Sequence, residues 1–99
     1  SKNAMTQQQL DLETSVNQAY NDAKGSFTFY EAAKKTTASR KLAYTDAQKR
    51  FEAGVLNPFN FSQIKQRYDA GVSDEVRAKY DYIFKLKVLE FFFGVPITL

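Results

Sequence analysis

The sequence predicts an all-α fold, a long antiparallel two-helix coiled-coil hairpin. Three observations predict it. No proline occurs from about Leu10 to Ala53. Apolar and small residues recur along that stretch in the alternating three-four rhythm of a heptad seam. A single cluster of helix-stop and helix-start residues, Gly54 to Pro58, then divides the chain. Composition agrees: 99 residues with only four glycines and two prolines are poor in the turns an all-β chain needs. Nine Phe and six Tyr are too many aromatics for a disordered chain.

The first helix is expected over about 10–53. Residues 1–4 read as an expression leader ahead of Met5 and carry no weight in the fold, leaving a hairpin over 5–93. The seam is assigned to Val16, Tyr20, Ala23, Phe27, Tyr30, Thr37, Tyr44, Ala47 and Phe51, with Lys34 and Lys41 filling two of its positions. Lysine stems can lie along such a seam with their ammonium groups in water. A second stripe of small residues, Ala19, Ala32, Ala33, Ala38 and Ala43, runs beside it and would admit a close neighbour. A helix of some 40 residues spans about 60 Å at the usual rise, too long for an ordinary small globular domain. Gly25 is the one interruption, costing about 1 kcal/mol against alanine.

The turn is expected at 54–57. Gly54 suits the left-handed residue that ends a helix. Asn57 suits an N-cap and Pro58 the first helical position. So short a connection makes the helices antiparallel neighbours.

The second helix is expected over about 58–93, with apolar positions Phe61, Ile64, Tyr68, Val72, Val76, Ile83, Leu86 and Leu89. Gly71, followed by Ser73-Asp74-Glu75, predicts either continuity or a slight kink. From Tyr80 to Phe93 aromatics fall on more than one face, which predicts burial against further elements. Gly94 breaks the helix, and 94–99 is expected to be an extended tail. Each rod thus carries more apolar stripe than one partner covers. The chain is expected either to self-associate or to be part of a larger protein.

Composition also narrows the chemistry. With no cysteine and no histidine, disulfides, thiolate zinc sites, cysteine nucleophiles and Ser-His-Asp arrangements are excluded. Asp69, Asp74, Glu75 and Asp81 share one helix, with no second kind of catalytic group near them, so they read as surface charges. The chain is expected not to be an enzyme and to need no cofactor or metal. Lys34-Lys35, Arg40-Lys41 and Lys49-Arg50 are basic pairs, but Glu31, Asp46 and Glu52 are interleaved with them. With 14 basic against 11 acidic residues, this is a solvated face rather than a nucleic-acid arm. No segment reaches the length of about 18 apolar residues that a membrane helix requires.

Three segments resemble the TolC-like outer-membrane efflux proteins. Arg50-Phe51-Glu52-Ala53-Gly54 with Asn57-Pro58-Phe59-Asn60-Phe61 is similar to that family's hairpin tip. Ala78-Lys79-Tyr80-Asp81-Tyr82-Ile83 is similar to a segment of its descending helix. Leu89 to Leu99 resembles the close of its last helix, and Ala19-Tyr20-Asn21-Asp22-Ala23 also fits. The wording from Lys79 to Lys85 resembles the family's Bacteroides-type branch. The resemblance covers about Leu10 to Leu99.

The resemblance implies that the hairpin is part of a larger α-helical barrel, the periplasmic tunnel of a homotrimeric channel in the cell outer membrane. It implies docking of a periplasmic membrane-fusion adaptor, itself joined to an inner-membrane pump, through the tip residues Gly54, Val55, Leu56, Asn57 and Pro58. In some members a tyrosine, an arginine and an aspartate latch the entrance. The corresponding positions here are Phe51, Leu56 and Gln63, so any constriction they line would lack the ionic latch. The rival expectations are a stand-alone hairpin module that self-associates into a four-helix bundle, and a basic coiled coil that binds nucleic acid.

Overall fold

The computed structural model describes residues 2–94. They form two antiparallel helices, α1 (Lys2–Glu52) and α2 (Pro58–Phe93). The hairpin measures 78 × 23 × 13 Å, one helix thick and two wide. The all-α hairpin is therefore as expected. The start of α1 is not: it begins at Lys2 rather than near Leu10. The stretch Ala4-Met5-Thr6-Gln7-Gln8-Gln9 holds good helix formers and no glycine or proline, so nothing stops the helix there. The expected extended tail lies beyond Gly94, outside the described residues.

The seam on α1 differs from the expected one by one position in each of four heptads, from Val16 to Lys41, and agrees with it from Tyr44 on. On α1 it runs through Val16, Ala19, Ala23, Ser26, Tyr30, Ala33, Thr37, Arg40, Tyr44 and Ala47 to Phe51, all but Phe51 buried or half-buried. Val16, Ala23, Tyr30, Thr37, Tyr44, Ala47 and Phe51 were placed correctly. Tyr20, Phe27, Lys34 and Lys41 were not; Ala19, Ser26, Ala33 and Arg40 take the inward positions. The reason is backbone approach. Small side chains at Ala19, Ser26 and Ala33 let the helices close together, while the bulky residues one position on cover the flank; Arg40 is the exception and reaches across to the Arg67 carbonyl. Phe27 remains 45% exposed even though its ring lies 5.3 Å from that of Tyr82.

The same shift holds on α2. Its seam passes through Phe61, Ile64, Tyr68, Gly71, Glu75, Ala78, Tyr82, Lys85, Leu89 and Phe92, each buried or half-buried. Val72 and Val76, expected inside, lie on the exposed flank. Gly71 makes no break; α2 runs on through it. An added Cβ there would stand 3.2 Å from Thr37 Oγ1 and 3.3 Å from Arg40 Cδ, so the glycine marks a tight approach of the two helices. Gly25, by contrast, has nothing within 4 Å of such a Cβ.

The core is thin. Ala19, Ala23 and Leu89 form its cluster, with Leu86, Val88 and Phe92 packed on it. Polar bonds tie the helices elsewhere. Ser26 Oγ donates to Asp81 Oδ2 at 3.1 Å, and Arg40 Nη1 donates to the Arg67 carbonyl at 2.9 Å. Burial of the Tyr80–Phe93 aromatics within the chain does not occur for Tyr80, Phe84, Phe91 and Phe93, all exposed. A single partner helix can cover only one of their faces.

Candidate docking tip

The tip is built by two interlocking caps. At the end of α1 the Val55 N–H donates to the Arg50 carbonyl at 2.9 Å, and the Gly54 N–H to the Phe51 carbonyl at 3.0 Å. This six-to-one and five-to-two pair is the Schellman motif, and it requires the left-handed residue that Gly54 supplies at φ 77°. Lys49 and Arg50 occupy the last turn of α1, where cations face the negative end of the helix dipole. Arg50 also pairs with Asp46 at 3.1 Å.

Asn57 opens α2. Its side-chain oxygen accepts from the Phe59 N–H at 2.7 Å and the Asn60 N–H at 3.2 Å. Pro58 follows at the start of the helix, where its missing N–H costs nothing. Both caps foreseen at Gly54 and Asn57 are thus present.

A Schellman cap usually carries an apolar contact between the residue after the glycine and the last turn. Here the last-turn residues at the partner positions are Lys49 and Arg50, neither of them apolar, and Val55 is left 74% exposed. Phe59, in the first turn of α2, is 66% exposed. Leu56 between them is half-buried. The tip therefore presents Val55 and Phe59 on a backbone held by hydrogen bonds. Phe59 lies outside the expected docking residues 54–58; an aromatic directly after a capping Asn-Pro is the sequence signal for it.

The three entrance positions differ in exposure: Leu56 is half-buried, and Phe51 and Gln63 are exposed. Phe51 turns toward α2 and stacks on Phe61, ring centroids 4.6 Å apart and planes at 11°. Gln63 lies two residues past Phe61, on the outer side of α2, and is exposed. Phe61 continues the stack to Tyr44 at 5.8 Å, and Tyr44 meets Tyr68 at 5.4 Å. This ladder of rings stiffens the tip end of the hairpin.

Among the described residues the acidic side chains on α2 do not gather into a metal-holding group. Asp81 accepts from Ser26 and pairs with Lys85 at 3.4 Å, a link between and along helices. Among the described residues no three His, Cys, Asp or Glu side chains gather as metal ligands, and no helix is long and apolar enough to cross a membrane. On α1 Glu31 hydrogen-bonds and pairs with Lys34 at 3.0 Å, which raises the lysine above its ordinary pKa. The Lys34 ammonium also sits 4.9 Å from the centre of the Tyr30 ring.

Two flanks remain uncovered along the hairpin. One carries Tyr20, Phe27, Val72 and Val76. The other carries Phe29, 65% exposed, in one groove with Ala32 and Thr36, and Ala43 in the next. The chain matches no family model, no curated protein and no solved structure.

Proposed function

We propose that this hairpin is a periplasmic wall segment of a TolC-like, trimeric outer-membrane efflux channel and that its tip docks an adaptor protein. In this reading it does no covalent chemistry. It forms part of a conduit, and the pump and adaptor select the cargo. The observation that carries the reading is the pair of uncovered flanks. A helical hairpin inside a curved wall needs a neighbour on each side, and here apolar side chains remain exposed on both. The order of the resembling motifs along the two rods supports it further, as does a tip held by two caps with Val55 and Phe59 outermost.

The test places a photo-crosslinking residue at Val55 in the full gene product, in its own cells. An adduct with a periplasmic membrane-fusion adaptor is the expected result. A gene that opens at Met5, with no export signal and no homologous first half, overturns the reading. It favours instead a hairpin module that pairs with itself as a four-helix bundle. The thin core of Ala19, Ala23 and Leu89 gives that second reading its motive, since a second copy would thicken it.

A further inference from the structure

We propose that the cleft between Arg40 and Arg67 is an oxyanion site that takes a carboxylate or a phosphate. The cleft lies on the flank that carries Phe29, between the middle of α1 and the first half of α2. Its volume is about 330 Å³, and it is lined by Ser39, Arg40, Ala43, Ile64 and Arg67. Two of these five residues are cationic and none is acidic.

Arg40 occupies an inward seam position otherwise given to small residues, and it is half-buried. It donates one N–H to the Arg67 backbone carbonyl at 2.9 Å. That bond holds the guanidinium over α2 and brings a fixed positive charge next to the residue that supplies the second one. The carboxylates that could neutralise them are engaged elsewhere or stand outside the cleft. Asp46 pairs with Arg50, and Asp81 with Lys85. Asp74 lines the neighbouring groove with Phe29 and Thr36. Among the described residues neither Arg40 nor Arg67 has an ion pair.

A guanidinium presents planar forked donors that match two oxygens of a carboxylate or phosphate. Ser39 adds a hydroxyl at the rim, and Ala43 leaves the space open. The cleft is at the small end of ligand sites, which run from about 300 Å³, so it suits one anionic group rather than a large molecule. The inference does not depend on the channel reading.

The experiment titrates the chain at low salt with inorganic phosphate and, separately, sodium acetate. It follows the arginine Nε–H resonances by NMR and the assembly state by sedimentation. Expected is saturable movement of the Arg40 and Arg67 signals. Arg67→Gln should weaken binding at least tenfold, and Arg67→Lys, which keeps the charge but not the fork, should weaken it less. Arg77→Gln, outside the cleft on the same helix, should leave it unchanged. Circular dichroism of each variant separates lost binding from lost folding. Binding by a monomer assigns the site to a free anion. A low-salt dimer that Arg67→Gln or added phosphate dissociates assigns it to an acidic side chain of a second copy. No saturable shift and no Arg67-dependent dimer overturns the proposal, as does equal weakening by Arg77→Gln.

Discussion

Thr37 Oγ1 lies 2.8 Å from the carbonyl oxygen of Gly71 and 2.9 Å from that of Ala33. One hydroxyl proton serves two acceptors, one on its own helix and one across the seam. The link is buried, and it sits where the absence of a side chain at Gly71 lets the helices meet. A pair of residues 34 apart in sequence therefore defines the register of the hairpin.

Thr37→Val tests that link. Valine keeps the shape and β-branching but removes the hydroxyl. The Gly71 carbonyl keeps its place in the α2 ladder, so the expected cost is the net value of one hydrogen bond, about 1 kcal/mol. For a chain of this size that lowers the melting temperature by about 4–8 °C. Urea or thermal unfolding at fixed protein concentration checks it, since self-association would make stability depend on concentration. An unchanged midpoint would show that the hydroxyl is satisfied within α1 alone.

The glycines of the two helices should respond in opposite directions. Gly25→Ala meets nothing within 4 Å and should stabilise by about 0.5–1 kcal/mol through helix propensity. Gly71→Ala gains the same propensity, but its methyl stands 3.2 Å from Thr37 Oγ1 and 3.3 Å from Arg40 Cδ. The Arg40 stem can give by a few tenths of an ångström while its guanidinium keeps its bond to the Arg67 carbonyl. Thr37 cannot move without opening the seam, and overpacking of this kind costs about 1–3 kcal/mol. The net expectation is a loss of up to about 2 kcal/mol. Equal stabilisation by both substitutions, measured by chemical unfolding, would contradict the tight approach.

The caps give a third prediction. Gly54→Ala forces a Cβ into the left-handed region and should cost about 1–2 kcal/mol. Asn57→Ala removes the acceptor for two N–H groups and should cost about 1 kcal/mol. Asn57→Asp keeps an acceptor and should cost little. Thermal melts of the three variants rank these effects; equal loss from Asp and Ala at 57 would mean that the side-chain oxygen does not cap α2.

The turn was the most legible part of the fold because its signals are local. Gly54, Asn57 and Pro58 each have few conformations in which they lower the energy, and all three agree. The seam was less legible because two adjacent positions per heptad compete for it. Tyr20 and Phe27 are more hydrophobic than Ala19 and Ser26, so apolarity alone favours them. The structure turns the smaller residues inward because backbone distance, a property of the pair of helices, decides. Gly71 had the same ambiguity: on one helix it is a weak point, and against Thr37 it is a contact. At the tip, exposure of Val55 followed from the lack of an apolar residue at Lys49 or Arg50. The inward turn of Phe51 required Phe61 from the other rod. The Arg40–Arg67 cleft was not legible, because its lining comes from both helices and depends on their register.

The tip offers the sharpest test of docking. Val55 is exposed and lies outside both helices, so Val55→Asp should leave helicity and melting temperature unchanged, within about 0.5 kcal/mol. Leu56 is half-buried, so Leu56→Asp should lower stability as well as any docking. If the tip docks a partner through apolar contact, burying an aspartate there should weaken coupling strongly while the fold stays intact. The measurement is paired: circular dichroism of the isolated variant, and crosslinking yield from the tip in the full gene product. Unchanged crosslinking with Val55→Asp and Phe59→Asp together would overturn docking through the tip. Loss of helicity with Val55→Asp would mean that Val55 packs against the rods, contrary to the exposure seen here.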